Sequence, residues 1–418
     1  MPGLAHSKRY PSGESDDGSP QEEDLEVEEP KPARVGLDAG GSLAQPLSSV
    51  QPGEAAARRL PALRVVQGSP GGRGQLTVVA PTTKAGAAPP PVASLPVAVD
   101  AMGGDRAPAE IIAGARRAAE ELGIPVVLVG PTDGSLGDTG GLEVLPAFEV
   151  IAMNDDPAQS VRTKRDSTLV RAAEAVRDGR ASAMVSAGNT GATMASALLR
   201  MGRLPGVARP AIAALIPAVS GRPAVLVDAG ANADCHPEWL VQFAQMGSAF
   251  MTRRFGIPAP KVALLSIGEE PTKGNQLAKE AHALLAAGVG VDFVGNVEGR
   301  DLLEGNVDVI VTDGFTGNVA LKSLEGALRA LFDVLGRVID ASPETRAAGS
   351  VLGPELLVYA QRLDPEETGG AMLLGVDGVC VISHGSSSAR AILNAVRVAH
   401  EAATGDLVGS LREAVART

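Results

Sequence analysis

Cysteine is nearly absent: Cys235 and Cys380 are the only two in 418 residues. That excludes a disulfide framework and fits a reducing cytosol. An excess of basic charge is missing as well. The formal net charge is −12, which argues against nucleic acid as a partner, because a phosphate backbone needs dense Lys and Arg. Beyond residue 93 the longest uncharged stretch, Ala181–Leu199, is broken by Ser186, Gly188, Asn189 and Thr190. A membrane span needs about 20 predominantly apolar residues, so none is expected. The start of the chain is polar and proline-rich and lacks the apolar segment of a secretory signal. Four catalytic fingerprints are also missing. No Gly-Lys pair occurs, so there is no Walker loop, and GxGxxG, GxSxG and HExxH are absent. P-loop, dinucleotide-fingerprint, serine-hydrolase and zincin readings lose support.

What is present divides in two. Residues 1–93 hold 13 of the 30 prolines, and Glu14–Glu29 carries nine acidic residues and no Lys or Arg. Such a segment cannot bury enough apolar surface to offset its chain entropy. It is expected to be a disordered Pro-rich and acidic tail, with at best a short strand around Gln75–Val79. The next methionine after Met1 is Met102, which leaves room for a start-site artefact in this stretch. Residues 94–418 are expected to carry the chemistry. There, short β-branched runs alternate with Ala-rich helical stretches, the signature of an α/β fold. Continuous apolar strands such as Ala183–Ser186 and Ala211–Ile216 fit a mostly parallel sheet with helices on both faces. About residues 314–362 two long helices follow one another with no strand between, predicting a helical hairpin.

Ligands of open α/β sheets bind at the carboxyl ends of strands, so the loops there matter most. They read Asp100–Asp105 (DAMGGD), Ser186–Gly191 (SAGNTG), Asp228–Cys235 (DAGANADC), Gly268–Asn275 (GEEPTKGN), Gly295–Asp301 (GNVEGRD), Asp313–Asn318 (DGFTGN) and His384–Ser388 (HGSSS). Glycine allows close backbone approach to a ligand, and seven such loops on one sheet edge predict one composite site. Ser186–Gly191 ends a strand and opens a helix, so its free N–H groups and the helix dipole favour an anion. Ser186, Gly188, Asn189 and Thr190 are the phosphate candidates, with Lys164 as a nearby cation beside Arg162 and Arg165. The same residue types also make a plain helix N-cap. Cys235 beside Asp234 is a poor nucleophile, since a neighbouring carboxylate raises a thiol pKa.

Taken together, these loops resemble the phosphate acyltransferase family, the acyl-[acyl carrier protein]:phosphate acyltransferases of phospholipid synthesis. The likeness runs from about Leu95 to about Ala402. It rests on DAMGGD, SAGNTG, DAGANADC, IGEEPTKGN (Ile267–Asn275), GNVEGRD, DGFTGNVALK (Asp313–Lys322) and HGS (His384–Ser386), in the family's order. It departs locally at Arg106-Ala107 and Thr368-Gly369-Gly370. The resemblance implies a fold similar to phosphotransacetylases and the isocitrate/isopropylmalate dehydrogenases. It also implies a homodimer in the cytoplasm with peripheral contact at the inner face of the membrane. The acyl phosphate product would pass to a membrane glycerol-3-phosphate acyltransferase. No cofactor or metal is implied beyond the phosphopantetheine of acyl carrier protein.

For that reaction phosphate dianion attacks the thioester directly, and the protein holds both partners and stabilises the oxyanion. Lys273, Asn232 and His384 are the oxyanion or thioester candidates, oriented by Asp234 and Asp313. Acyl carrier protein is acidic, so a basic patch of Arg200, Arg203 and Arg209 is its expected dock. Apolar Val351, Leu352, Leu356 and Leu357 fit ordinary packing residue by residue, and as a group they suggest a membrane-touching tip. A phosphotransacetylase acting on short acyl-CoA is the alternative reading. A decarboxylating dehydrogenase of the related fold and a non-enzymatic acyl-thioester regulator are the others.

Overall fold

A computed structural model describes residues 91–219 and 221–416. The expectations for residues 1–90, the strand around Gln75–Val79 included, lie outside the described residues. Eleven strands form one sheet: β1 (Val97–Asp100), β2 (Val126–Gly130), β3 (Glu143–Pro146), β4 (Ala183–Ser186), β5 (Ala211–Ile216), β6 (Ala224–Val227), β7 (Lys261–Leu265), β8 (Asp292–Val297), β9 (Val309–Val311), β10 (Ala371–Leu374) and β11 (Val379–Ile382). The helices are α1 (Ala109–Leu122), α2 (Pro157–Thr163), α3 (Thr168–Arg177), α4 (Thr190–Arg200), α5 (Pro237–Phe255), α6 (Gln276–Ala286), α7 (Gly314–Asp340), α8 (Pro343–Arg362), α9 (Pro365–Thr368), α10 (Ala389–Thr404) and α11 (Leu407–Ala416).

The strands are short Val, Ile, Leu and Ala runs because both sides of the sheet are covered. In β1, Val97 and Val99 pack with Ile111 of α1, Phe243 of α5, Ile392 of α10 and Leu411 of α11 in one core. Ala98, between them, points to a second core with Val161 of α2, Leu169 of α3 and Ala197 of α4. This alternation is the period-2 geometry of a strand turned into two apolar layers.

The strand order is β3-β2-β1-β4-β11-β10-β5-β6-β9-β7-β8. Seven of the pairings are parallel. Three are antiparallel, those joining β10 to β11, β10 to β5 and β5 to β6. The consequence is directional. Strands β1 to β5 and β11 run one way, and β6 to β10 run the other. The expected single edge is thereby corrected. The loops after β1, β4 and β11 open at one edge of the sheet, and those after β6, β7, β8 and β9 open at the opposite edge.

Helices α7 and α8 form the expected hairpin. Their contact is close: a Cβ on Gly349 of α8 would lie 2.5 Å from Cγ2 of Ile339 in α7, so only glycine lets the arms approach. The outer faces stay apolar and exposed. Leu331, Val334 and Val338 form a stripe on α7, and Val351, Leu352, Leu357 and Tyr359 stand out from α8. Among the described residues no helix is long and apolar enough to cross a membrane.

Candidate active site

The first edge is built on Asp100. Its carboxylate is buried at the end of β1 and accepts from the Ser186 hydroxyl at 2.7 Å and from the Met102 N–H at 3.2 Å. The Ser186 oxygen accepts in turn from the Gly188 N–H at 3.0 Å. A Cβ on Gly103 would meet Asp100, Gly188 and Ser186 within 3 Å, so DAMGGD and SAGNTG interlock. The Asp105 N–H donates to Gly385 O at 2.7 Å and ties in the HGS loop. Burial pushes the Asp100 carboxyl above the ordinary carboxylate range, against hydrogen bonds from Thr168 and Ser186.

Most phosphate candidates at this edge are already spent. Asn189 Oδ1 accepts from the Ala192 N–H at 3.0 Å and caps α4, while its Nδ2 donates to Met153 O at 2.9 Å and Asp155 O at 3.2 Å. Lys164 Nζ donates to Asp155 Oδ2 at 2.6 Å and Val150 O at 2.9 Å, and this pair holds the Asp155 carboxyl below its usual value. Thr190 is exposed, with no hydrogen bond to its hydroxyl among the described residues. His384 is exposed too, its Nδ1 2.8 Å from Ser386 Oγ.

The second edge is organised by Asp228, wholly buried after β6. Its Oδ1 accepts from the N–H groups of Ile212, Gly230 and Ala231. Its Oδ2 accepts from Asn232 N and Nδ2 at 2.7 and 2.8 Å. Asn232 Nδ2 also donates to Pro210 O at 2.8 Å, and Asn232 O accepts from the Gly314 N–H at 2.8 Å. Asn232 thus fixes the loop rather than offering a free donor. Asp313 caps α7 by accepting from Thr316 N and Oγ1, both at 2.8 Å.

This loop walls an open cleft of 490 Å³ lined by Arg209, Asn232, Ala233, Asp234, Cys235, His236 and Trp239. Arg209 also lines an adjoining cleft of 580 Å³ with Leu198, Arg203, Ala208 and Pro210. Burial, reinforced by Asp228, Asp313 and Asp234, pushes the Cys235 thiol up to about 12, so it is protonated and unreactive near neutrality. Lys273 stands exposed in the loop after β7, two strands from β6 at the same edge. With about 4.8 Å between neighbouring strands, that is roughly 10 Å away. Asn296 holds this loop by donating to Gly268 O and Glu270 O at 3.3 and 3.0 Å.

The structure therefore brings Asn232, Asp234, Asp313 and Lys273 to one edge. It leaves His384 and the phosphate candidates Ser186, Gly188, Asn189, Thr190 and Lys164 at the other. Of the three arginines proposed for docking, Arg200 lies 3.8 Å from Glu174 and Arg203 donates to the carbonyls of Val207 and Ala208. Arg209 has no ion pair among the described residues and lies over Trp239. Trp239 and His236 were not anticipated. The one signal for them was the chain's single tryptophan, four residues after DAGANADC. Among the described residues no His, Cys, Asp and Glu gather to hold a metal ion.

The α/β sheet thus carries glycine-rich strand-end loops and a cleft lined by Arg209 and Asp234, the setting of a ligand-binding α/β enzyme. The family model described as "Fatty acid synthesis protein" matches residues 95–409. The phosphate acyltransferase of Nostoc punctiforme is 49% identical over 313 residues, 73% of this chain and 92% of that protein. That of Pelotomaculum thermopropionicum is 49% identical over 325 residues, 76% of this chain and 94% of that protein. Among solved structures, a phosphotransacetylase from Streptococcus pyogenes aligns with a TM-score of 0.48 at 18% identity, covering 74% of this chain and 94% of that one. The chain belongs to the phosphate acyltransferase family, and it is an acyltransferase.

Proposed function

We propose that this chain moves a fatty acyl group from acyl carrier protein to inorganic phosphate, and that the cleft at the second edge is where it does so. Acyl transfer to phosphate in lipid synthesis follows from the family. The observation that carries the site is the cleft itself, where exposed Arg209 lies over Trp239 beside the Asn232–Cys235 loop. Direct attack by phosphate uses no protein nucleophile, and the Cys235 thiol, kept protonated by burial, is not one. A phosphate oxygen attacks the thioester carbon, the C–O bond forms as the C–S bond breaks, and the carrier thiolate leaves and takes a proton. A thiol of pKa about 8.5 leaves with little acid help. The protein's task is positioning and charge stabilisation.

The acceptor phosphate is assigned to Lys273, whose ammonium has no ion pair among the described residues, rather than to the α4 N-terminus. Asp234 and Asp313 orient the donor groups around the thioester. The carrier docks at Arg209, with Arg203 in the same cleft lining and Arg200 as the third arginine of the patch. A homodimer is part of this reading, because the Leu331, Val334 and Val338 stripe of α7 needs cover. Peripheral membrane contact through the apolar face of α8 would deliver acyl phosphate to a membrane glycerol-3-phosphate acyltransferase. The only cofactor involved is the carrier's own phosphopantetheine.

The test is release of carrier thiol from palmitoyl-acyl carrier protein with and without phosphate, with acyl phosphate trapped by hydroxylamine. Phosphate-dependent release is expected. Release from acetyl-CoA but not from the carrier would move the reading to a phosphotransacetylase. In the same assay Lys273→Ala should raise the phosphate KM about tenfold or more, and Asn189→Ala should leave it unchanged. The reverse pattern would return phosphate to the α4 N-terminus.

A further inference from the structure

Trp239 is the only tryptophan in the chain. It sits in the first turn of α5, half-buried, with its indole edge-on to the His236 ring at 4.7 Å and 76°. The Arg209 guanidinium lies over the other part of the platform, 5.1 Å from the ring centroid. Arg209 is exposed and has no carboxylate in ion-pair range among the described residues, although the chain carries 49 acidic residues against 37 basic ones. Arginine stacked on an aromatic face keeps its outward N–H donors available to an anion.

The cleft is also electrically polarised. Arg203 and Arg209 stand at one end. Asp234 stands at the other, beside Asn232 and Cys235. Arg209 is the lining residue common to both clefts. A ligand that fits this polarity has an anionic head, a flexible and largely uncharged stem, and a neutral reactive tail. The stem would run along the indole face, and the tail would reach the loop of Asp234 and Cys235.

We infer that Arg209 and Trp239 form the seat for the phosphate group of the pantetheine arm that presents the acyl thioester. This rests on the acyl-carrier reading above and assigns the arm's head to named residues. Arg209 pairs with the phosphate oxygens, Trp239 supports the stem, and the thioester is thereby fixed in the acidic part of the cleft. The same chemistry would accept inorganic phosphate, so the test separates the two sources.

Because Trp239 is the sole tryptophan, its emission reports on the seat in the full chain without labelling. The emission is titrated with 4′-phosphopantetheine, with pantetheine and with inorganic phosphate, for the unmodified chain and for Arg209→Gln and Arg209→Lys. Saturable change with 4′-phosphopantetheine is expected. Pantetheine should bind at least about tenfold more weakly, Arg209→Gln should erase that preference, and Arg209→Lys should keep part of it. Equal affinity for the two arms overturns the seat. So does a preference that survives Arg209→Gln, an identical response to inorganic phosphate, or the absence of any saturable change. Acyl phosphate formation is measured in parallel. Transfer that persists while the preference is absent removes the seat and leaves the carrier reading standing. Absence of transfer from the carrier removes that reading, and the seat with it.

Discussion

Asp100 and Asp228 do the same job at opposite edges: each is a buried carboxylate that gathers the N–H and O–H groups of a glycine-rich loop. Burial raises both above the ordinary value of 3.8, despite those donors. A carboxyl whose folded pKa lies above its unfolded one makes the native state hold the proton more tightly. Its contribution to stability is present at low pH and is lost as pH rises from about 4 through the folded pKa. Asp100→Asn stays neutral at every pH and keeps an acceptor for the Met102 N–H. Its Tm should therefore fall less than that of the unmodified chain as the pH rises from about 4; an unchanged slope in thermal unfolding would contradict the assignment. At this scale the sequence was legible in part. SAGNTG and DAGANADC were visible as special loops. Whether Asn189 or Asn232 spends its amide on its own backbone or on a ligand was not, because a helix cap and an anion cradle call for the same residue types.

Among the elements, the start of α7 is the least forgiving. Gly317 packs so tightly on the loop after β6 that a Cβ there would lie 2.0 Å from Asp228 O. That obstacle is backbone and cannot rotate away. Gly317→Ala should cost about 1–3 kcal/mol by overpacking, and it should lower activity by moving the Asn232–Cys235 wall. Denaturant unfolding beside the transfer assay measures both; an unchanged midpoint would mean that α7 is free to slide. Periodicity made most elements legible, since β4 and β5 span the residues that their Val, Ile and Ala runs mark. It missed β3, a half-exposed edge strand, and β10, a four-residue strand directly after Gly369 and Gly370. The second miss mattered more. β10 and the β5–β6 hairpin reverse the strand direction in mid-sheet, and nothing in an alternating β-α pattern signals such a reversal. That is why seven loops read as one site and fold as two groups.

For the whole molecule, the hairpin is the element that leaves the most apolar side chains exposed among the described residues. On α8, Val351 is 76% exposed, and Leu352, Leu356 and Leu357 are exposed as well. If this face meets lipid, the chain should float with anionic liposomes, and replacing these four residues by Gln or Ser should abolish flotation while leaving transfer in solution intact. Flotation that survives the replacement would assign the face to protein contact instead.

The placement of β10 and β11 has a consequence for how the chain is made. They lie between β4 and β5, yet they are synthesised after everything else in the sheet. Until the ribosome has delivered residues 371–382, β4 and β5 each present a raw strand edge where the middle of the finished sheet will be. Nascent chains halted before that point therefore carry two adhesive seams, and the last strands to emerge are the ones that weld the halves together.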